Sequence, residues 1–443
     1  MTIVVGEVVG SGIFFKPEEV SRAIGGYPAL ILALWVTCGV VNLFGALALA
    51  ELSAMFPHEG GTYVFLRETY GRMWAFLWCW SEFWVIRTGA IAALAVYTTM
   101  SWQDLMQAAG IQITSGSWKW FRMAAAVSII FALGAINFAG ALWGGRVQNV
   151  MTSIKVAFVA LLALLPFLAI RGPGAAREAF WPAQVDGTLL TSIGVALAAI
   201  MWAYDGWGNV TVVAEEVRDP ERNVPRALVA GMLLIMVLYF GANLAYYLTL
   251  PSAQIAATFN PARAVCEKLL PGFGGNLLLA MLMVSLIGTL NGNILVGPRV
   301  LYAAARDFHF LSPFRQLHPR TRTPALAIGL VSGWSMLLVI LADWSPGDTP
   351  LYQWLTNYCI FGGSIFYLSA VLAVFMLRIR QPSASRPYRA WGYPLTPAIF
   401  AVFYLFLLAS MLWSRPQECF TGLALIAAGL VVYLLLSHRS KGS

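Results

Sequence analysis

Charge is scarce in this chain. Of its 443 residues only 11% are Asp, Glu, Lys or Arg, and 59% are hydrophobic. Soluble domains carry about 25% charged residues, so the shortage excludes a soluble globular protein, and a mean hydropathy of +0.72 agrees. Histidine is rarer still: His58, His309, His318 and His438 are scattered over predicted loops and the tail. Cys38, Cys79, Cys266, Cys359 and Cys419 show no metal-ligand spacing, so no metal is expected. A Cys266–Cys419 disulfide is the one pairing that the outer segments would permit. No nucleophile–base pair or phosphate loop stands out, which makes a membrane enzyme the weakest reading, and no cofactor is expected. No basic segment precedes the first apolar run, so no cleavable signal peptide is expected. The ten-residue alternation of outer-membrane strands is missing too.

What remains is a series of apolar runs about 20 residues long, the length of helices that span a bilayer. The chain therefore reads as an all-α polytopic membrane protein. Twelve spans are expected, at 2–24, 28–56, 73–98, 121–139, 149–170, 189–213, 226–249, 276–304, 324–342, 351–377, 395–413 and 419–437. The formal net charge of +8 is explained by topology rather than by nucleic acid. With the N-terminus inside, seventeen Lys and Arg residues fall in inner segments and nine in outer ones. This asymmetry places both termini in the cytoplasm and the chain in the cell (inner) membrane.

Two runs are interrupted. In span 1, Gly10-Ser11-Gly12 breaks helical propensity; in span 6, Asp205-Gly206 does so amid Trp202, Ala203, Tyr204 and Trp207. An unwound backbone in lipid costs several kcal/mol per unpaired group, so each break needs something polar to fill it. The breaks lie five spans apart. Five is odd, so two halves of five spans enter the membrane from opposite faces, and matching Gly-broken helices in inverted halves point to a transporter site at the midplane. The half-helix that starts near Ser11 presents free N–H groups, which suit a carboxylate. The half-helix that ends near Ala203 presents carbonyls, which suit an ammonium group. Together they cradle a zwitterion, an α-amino acid being the obvious one. Trp202, Tyr204 and Trp207 are expected to wall its side chain or to gate it.

Other charges inside the spans are few. Asp205 is costly in lipid, at about 2.5–3.5 kcal/mol on an insertion scale, and reads as functional. Glu7 either belongs to the site or is hydrated near the inner surface; with Asp205 it is a candidate proton carrier. Glu82 and Arg87 are five residues apart, about 140° around an α-helix, and are not expected to pair. Lys155 either snorkels to the inner surface or faces the bundle as a fixed cation. The polar centre of span 8, including Thr289, Asn291 and Asn293, is read as close helix packing.

Gly10-Ser11-Gly12-Ile13-Phe14, Trp80-Ser81-Glu82…Arg87, Lys155, Ala203-Tyr204-Asp205-Gly206-Trp207 with Glu215-Glu216…Pro225, and Asn291-Gly292…Arg299…Arg306-Asp307 together resemble the L-type amino acid transporter branch of the amino acid–polyamine–organocation superfamily. The resemblance implies a LeuT-like fold: a first repeat over 1–170, an inverted second repeat over 189–377, and two added helices over 395–437. It implies that Ser11, Gly12 and Ile13 bind the substrate carboxylate and that carbonyls around Trp202 and Ala203 take the amine. It also implies that Lys155 stands in place of a sodium ion. Members that pair with a glycoprotein heavy chain carry a cysteine between spans 3 and 4. This chain has none there, so it resembles stand-alone prokaryotic members and no heavy chain is expected. Asp205 stands where many neutral-amino-acid members have Gly, which resembles the branch that accepts cationic amino acids. The leading expectation is sodium-independent transport of L-amino acids by exchange or proton coupling. The alternatives are a polyamine or amine transporter of the same superfamily and a low-flux amino acid receptor.

Overall fold

The computed structural model describes residues 1–111, 115–169, 181–182, 187–342 and 351–439; Arg171, Arg177 and Lys441 of the charge count lie outside them. Among the described residues the chain is helical, without strands. The first run forms α1 (Thr2–Val8) and α2 (Gly12–Ile24), parted at Val9-Gly10-Ser11. Gly25, at a left-handed φ of 72°, ends α2 as glycine can without a Cβ penalty. α3 (Pro28–Met55) has proline in its first turn, and α4 (Thr62–Tyr70) follows a Gly-rich corner. The third run forms α5 (Arg72–Ser81), a π-helical turn (Glu82–Ile86) and α6 (Arg87–Ala108). Next come α7 (Ser115–Ala139) and α8 (Ala141–Ala169). The sixth run forms α9 (Gly187–Tyr204), a break at Asp205-Gly206 and a 3₁₀ segment (Trp207–Glu216). The remaining helices are α10 (Pro220–Thr249), α11 (Ser252–Ala256), α12 (Pro261–Leu269), α13 (Gly274–Asp307), α14 (Ala325–Ala342), α15 (Leu351–Arg380), α16 (Leu395–Ser414) and α17 (Pro416–Arg439).

Ten helical stretches among the described residues are long and apolar enough to cross a membrane; the apolar part of α14, Ala325–Leu341, is shorter. Leu142, Leu168, Ile379 and Trp413 point outward almost fully exposed, as lipid-facing side chains do. α13 is buried along most of its length and α17 along little of it, so α13 lies near the centre.

Four of the pairs of runs that lie five apart pack on each other. α2 lies on α9, α1 on the 207–216 segment, α3 on α10, the α5–α6 run on α13, and α7 on α14. Several of these pairs are antiparallel. Gly12 meets Ala203 while Glu7 meets Gly206. Phe76 meets Phe308 while Arg87 meets Asn293. Phe138 meets Thr323 while Gly134 meets Ser332.

Three helices start six or more residues earlier than the sequence suggested, among them α7, at Ser115 rather than 121. α8 begins at Ala141, not at 149. Gly144, Gly145 and Arg146 read as a loop, but a Cβ on Gly144 would strike Asn137 of α7, so the glycine serves close helix packing. α10 begins at Pro220, placing Pro225 inside the helix rather than in its first turn. All five cysteines are buried and free, so Cys266 and Cys419 form no disulfide.

Candidate functional site

Both breaks open onto one cavity, lined by Glu7, Gly10, Ser11, Gly12, Trp202, Asp205 and Gly206 together with Val8, Ala90, Leu94, Asn209, Thr289 and Asn293. The indole N–H of Trp202 donates across it to Ser11 Oγ at 3.2 Å. The backbone N–H groups of Ser11, Gly12 and Ile13 stand at the start of α2, where no preceding helical carbonyl can take them.

The carbonyls that end α1 are already engaged. Lys155 Nζ donates to Gly6 O at 2.6 Å, Val9 O at 2.8 Å, Ser285 O at 3.3 Å and Thr289 Oγ1 at 3.0 Å. Ser285 Oγ donates to Val9 O at 3.0 Å, and the Tyr239 hydroxyl reaches Val8 O at 2.8 Å and Ala203 O at 2.9 Å. Lys155 is 1% exposed and fourteen residues into α8, about 20 Å from the helix start. That depth decides against snorkelling: the lysine faces the bundle. Three carbonyl oxygens and a hydroxyl oxygen around Nζ form a set that suits an ammonium group.

Glu82 and Arg87 do pair, contrary to expectation. Arg87 Nε lies 2.9 Å from Glu82 Oε2 and Nη2 lies 3.0 Å from Oε1. The π-helical turn is the cause. Arg87 N–H bonds to Glu82 O, five residues back, and this wider turn rotates less per residue, bringing positions five apart onto one face. Arg87 also donates to Asn293 Oδ1 at 2.8 Å and to Asn209 Oδ1 at 3.0 Å.

Some expected wall residues lie elsewhere. Tyr204 donates to Trp35 O, and Trp207 to Asn42 Oδ1 at 2.8 Å. Both are 1% exposed and pack against α3, away from the cavity lining; of the three aromatics only Trp202 lines it. Ile13 O accepts from Tyr246 and Ala203 O from Tyr239, so these two meet the cavity by backbone at most. Asp205 also lines a second small cavity with Tyr367, Ser364 and Tyr404. Glu7 is 4% exposed and lines the cavity. Thr289 and Asn293 line the site, although their polarity read as helix packing, and so does Asn209, just past the second break.

At the end of the bundle that carries residues 59, 215 and 299, ion pairs tie α13 to the segment behind the second break. Arg299 Nε is 2.7 Å from Glu216 Oε1, and Arg306 Nη1 is 3.2 Å from Glu215 Oε1. Glu59 lies 3.8 Å from both arginines. Burial pushes its carboxyl up to about 7, against the opposing pull of Arg299.

The amino acid permease profile matches residues 1–436. The chain belongs to the amino acid permease family. This permease is 29% identical over 443 residues to the serine/threonine exchanger SteT of Bacillus subtilis, covering 99% of this chain and 95% of the relative. It is 31% identical over 449 residues to large neutral amino acids transporter small subunit 2 of Homo sapiens (99% and 80% covered). It is 28% identical over 450 residues to b(0,+)-type amino acid transporter 1 of Homo sapiens (100% and 87%). These relatives agree with the L-type resemblance carried by the motifs.

Proposed function

We propose that this permease is a sodium-independent secondary transporter of L-amino acids that works by alternating access, chiefly as an exchanger. The observation that carries the reading is the meeting of two antiparallel helix breaks at one cavity, with α2 amides on one side and the end of α9 on the other. The substrate carboxylate sits on the Ser11, Gly12 and Ile13 amides. The amine faces the carbonyls around Trp202 and Ala203; each carbonyl has a second lone pair to offer despite its existing bond. The relative named as an exchanger supports exchange.

The packing of runs five apart supports twelve spans in a LeuT-like arrangement. Its repeats are 1–170 and 189–377, and 395–437 is added to them. The broken α1–α2 pair and α14 complete the twelve. The excess of inner Lys and Arg supports cytoplasmic termini and a place in the cell membrane. The cysteine-free segment between spans 3 and 4 supports function without a heavy chain.

The Lys155 ammonium fills the space among the α1 carbonyls and α13 that a cation would need. Uptake of radiolabelled L-amino acids into proteoliposomes is therefore expected to be unchanged when sodium is replaced by choline. Loss of uptake in choline would contradict the assignment of Lys155. Asp205 is an anion in the lining of the cavity, at the second break. Asp205→Asn is expected to raise KM for L-lysine about tenfold, on the order of 1.4 kcal/mol, while L-alanine changes far less. Equal losses for both substrates would make Asp205 a structural partner of Tyr367.

A further inference from the structure

The zwitterion cradle leaves Glu7 without a role, yet the bundle is built around it. Glu7 Oε2 accepts from Asn293 Nδ2 at 2.9 Å and Asn209 Nδ2 at 3.3 Å. Each of these amides turns its oxygen to Arg87. A guanidinium only donates, so the two asparagines are fixed with their donors toward Glu7, in a closed ring.

The second oxygen is held differently. Glu7 Oε1 is buried and unpartnered among the protein's own groups, and so is Gln148 Nε2. Both flank Gly292, where a Cβ would overlap Oε1 and lie 3.2 Å from Nε2. The orientation of Gln148 follows from backbone carbonyls, which only accept. Asn137 Nδ2 donates to Leu133 O and to Asn291 Oδ1. Asn291 Nδ2 donates to Gly144 O and to Gln148 Oε1. Gln148 Nε2 is thereby left facing Oε1, near enough for a contact through one water.

Three amide donors thus face Glu7, and among the described residues Oε1 has no hydrogen-bond partner that would accept a carboxylic O–H. These donors and the two nearby cations favour the carboxylate form against the cost of burying it. The charged groups facing Glu7 are Lys155 from α8, Arg87 from α6 with its partner Glu82, and Asp205 from the second break. Three carboxylates stand against two cations, and both Glu7 and Asp205 line the cavity. In a low-dielectric site the excess negative charge favours an occupant with net positive charge.

We propose that Glu7 is a fixed anion of the substrate cavity that makes this permease prefer amino acids carrying a second positive charge, rather than a group that picks up the coupling proton. The inference rests on the amino acid transport reading. The test compares L-lysine with L-alanine uptake in proteoliposomes for wild type, Glu7→Gln and Glu7→Asp between pH 6 and 8. Wild type is expected to favour lysine in kcat/KM. Glu7→Gln lowers the lysine-to-alanine ratio about tenfold, as loss of one nearby charge predicts. Glu7→Asp restores most of the ratio, and the pH profile of lysine uptake keeps its shape in Glu7→Gln. Gly292→Ala, whose methyl displaces Oε1, is expected to lower the same ratio and serves if Glu7→Gln does not fold. An unchanged ratio, equal loss for both substrates, or loss of acid stimulation in Glu7→Gln would each overturn the proposal. Failure of wild type to carry any amino acid would instead overturn the transport reading.

Discussion

Gly12→Val is expected to abolish substrate binding and uptake. Gly12 stands in the first break, where a side chain would crowd the backbone amides that the substrate carboxylate needs. The structure adds a second and harder constraint. A Cβ on Gly12 would overlap Cα and Cβ of Ala203, so the start of α2 and the end of α9 touch backbone to backbone. Neither partner is the free end of a flexible side chain that can swing aside. Overpacking of this kind costs about 3 kcal/mol or more, and the strain falls on the two half-helices that form the cradle. Even Gly12→Ala should weaken binding about 100-fold. The measurement is the rise in thermal stability that L-amino acids induce in the purified variant, since a ligand stabilises only the form it binds. A monodisperse, folded variant with no ligand-induced shift supports the account. Wild-type affinity would remove Ser11, Gly12 and Ile13 from the carboxylate site.

Arg87→Leu is expected to carry the largest stability loss. Its guanidinium forks onto Glu82 and bridges to Asn293 and Asn209, with both charged partners nearly fully buried. Removing one member of a buried pair strands the other and costs about 3–5 kcal/mol. Replacing both members together costs less, because no bare charge is left behind. Thermal unfolding in detergent should therefore rank Glu82→Leu/Arg87→Leu above Arg87→Leu. Additive losses in the double variant would show that the two side chains do not interact.

The Glu82–Arg87 pair also marks a limit of sequence reading. Helical spacing puts the two on different faces, and no residue in Glu82-Phe83-Trp84-Val85-Ile86 announces a π turn; the extra residue is visible only in the backbone bonds. The helix breaks were legible because Gly, Ser and Asp in an apolar run have a known physical cost. Lys155 was ambiguous because Gly144-Gly145-Arg146 looked like a loop, which set the helix start too close to the lysine. Tyr204 and Trp207 could not be assigned a face, since helical phase is lost across a break. Asn293 carried a visible signal, polarity in mid-span, but packing explains that signal equally well until Arg87 and Glu7 are seen beside it.

The central claim is that one cavity grips both ends of a zwitterion. It is tested most directly by competing uptake of radiolabelled L-lysine with three unlabelled compounds: L-lysine, cadaverine, which lacks the carboxylate, and 6-aminohexanoate, which lacks the α-amine. Loss of either cradle partner should weaken competition about 100-fold, on the order of 2.7 kcal/mol for a charge-assisted set of bonds. The account predicts that lysine competes and both analogues fail. Competition by cadaverine as strong as that by lysine would contradict it, and would mark the protein as an amine carrier with no carboxylate site.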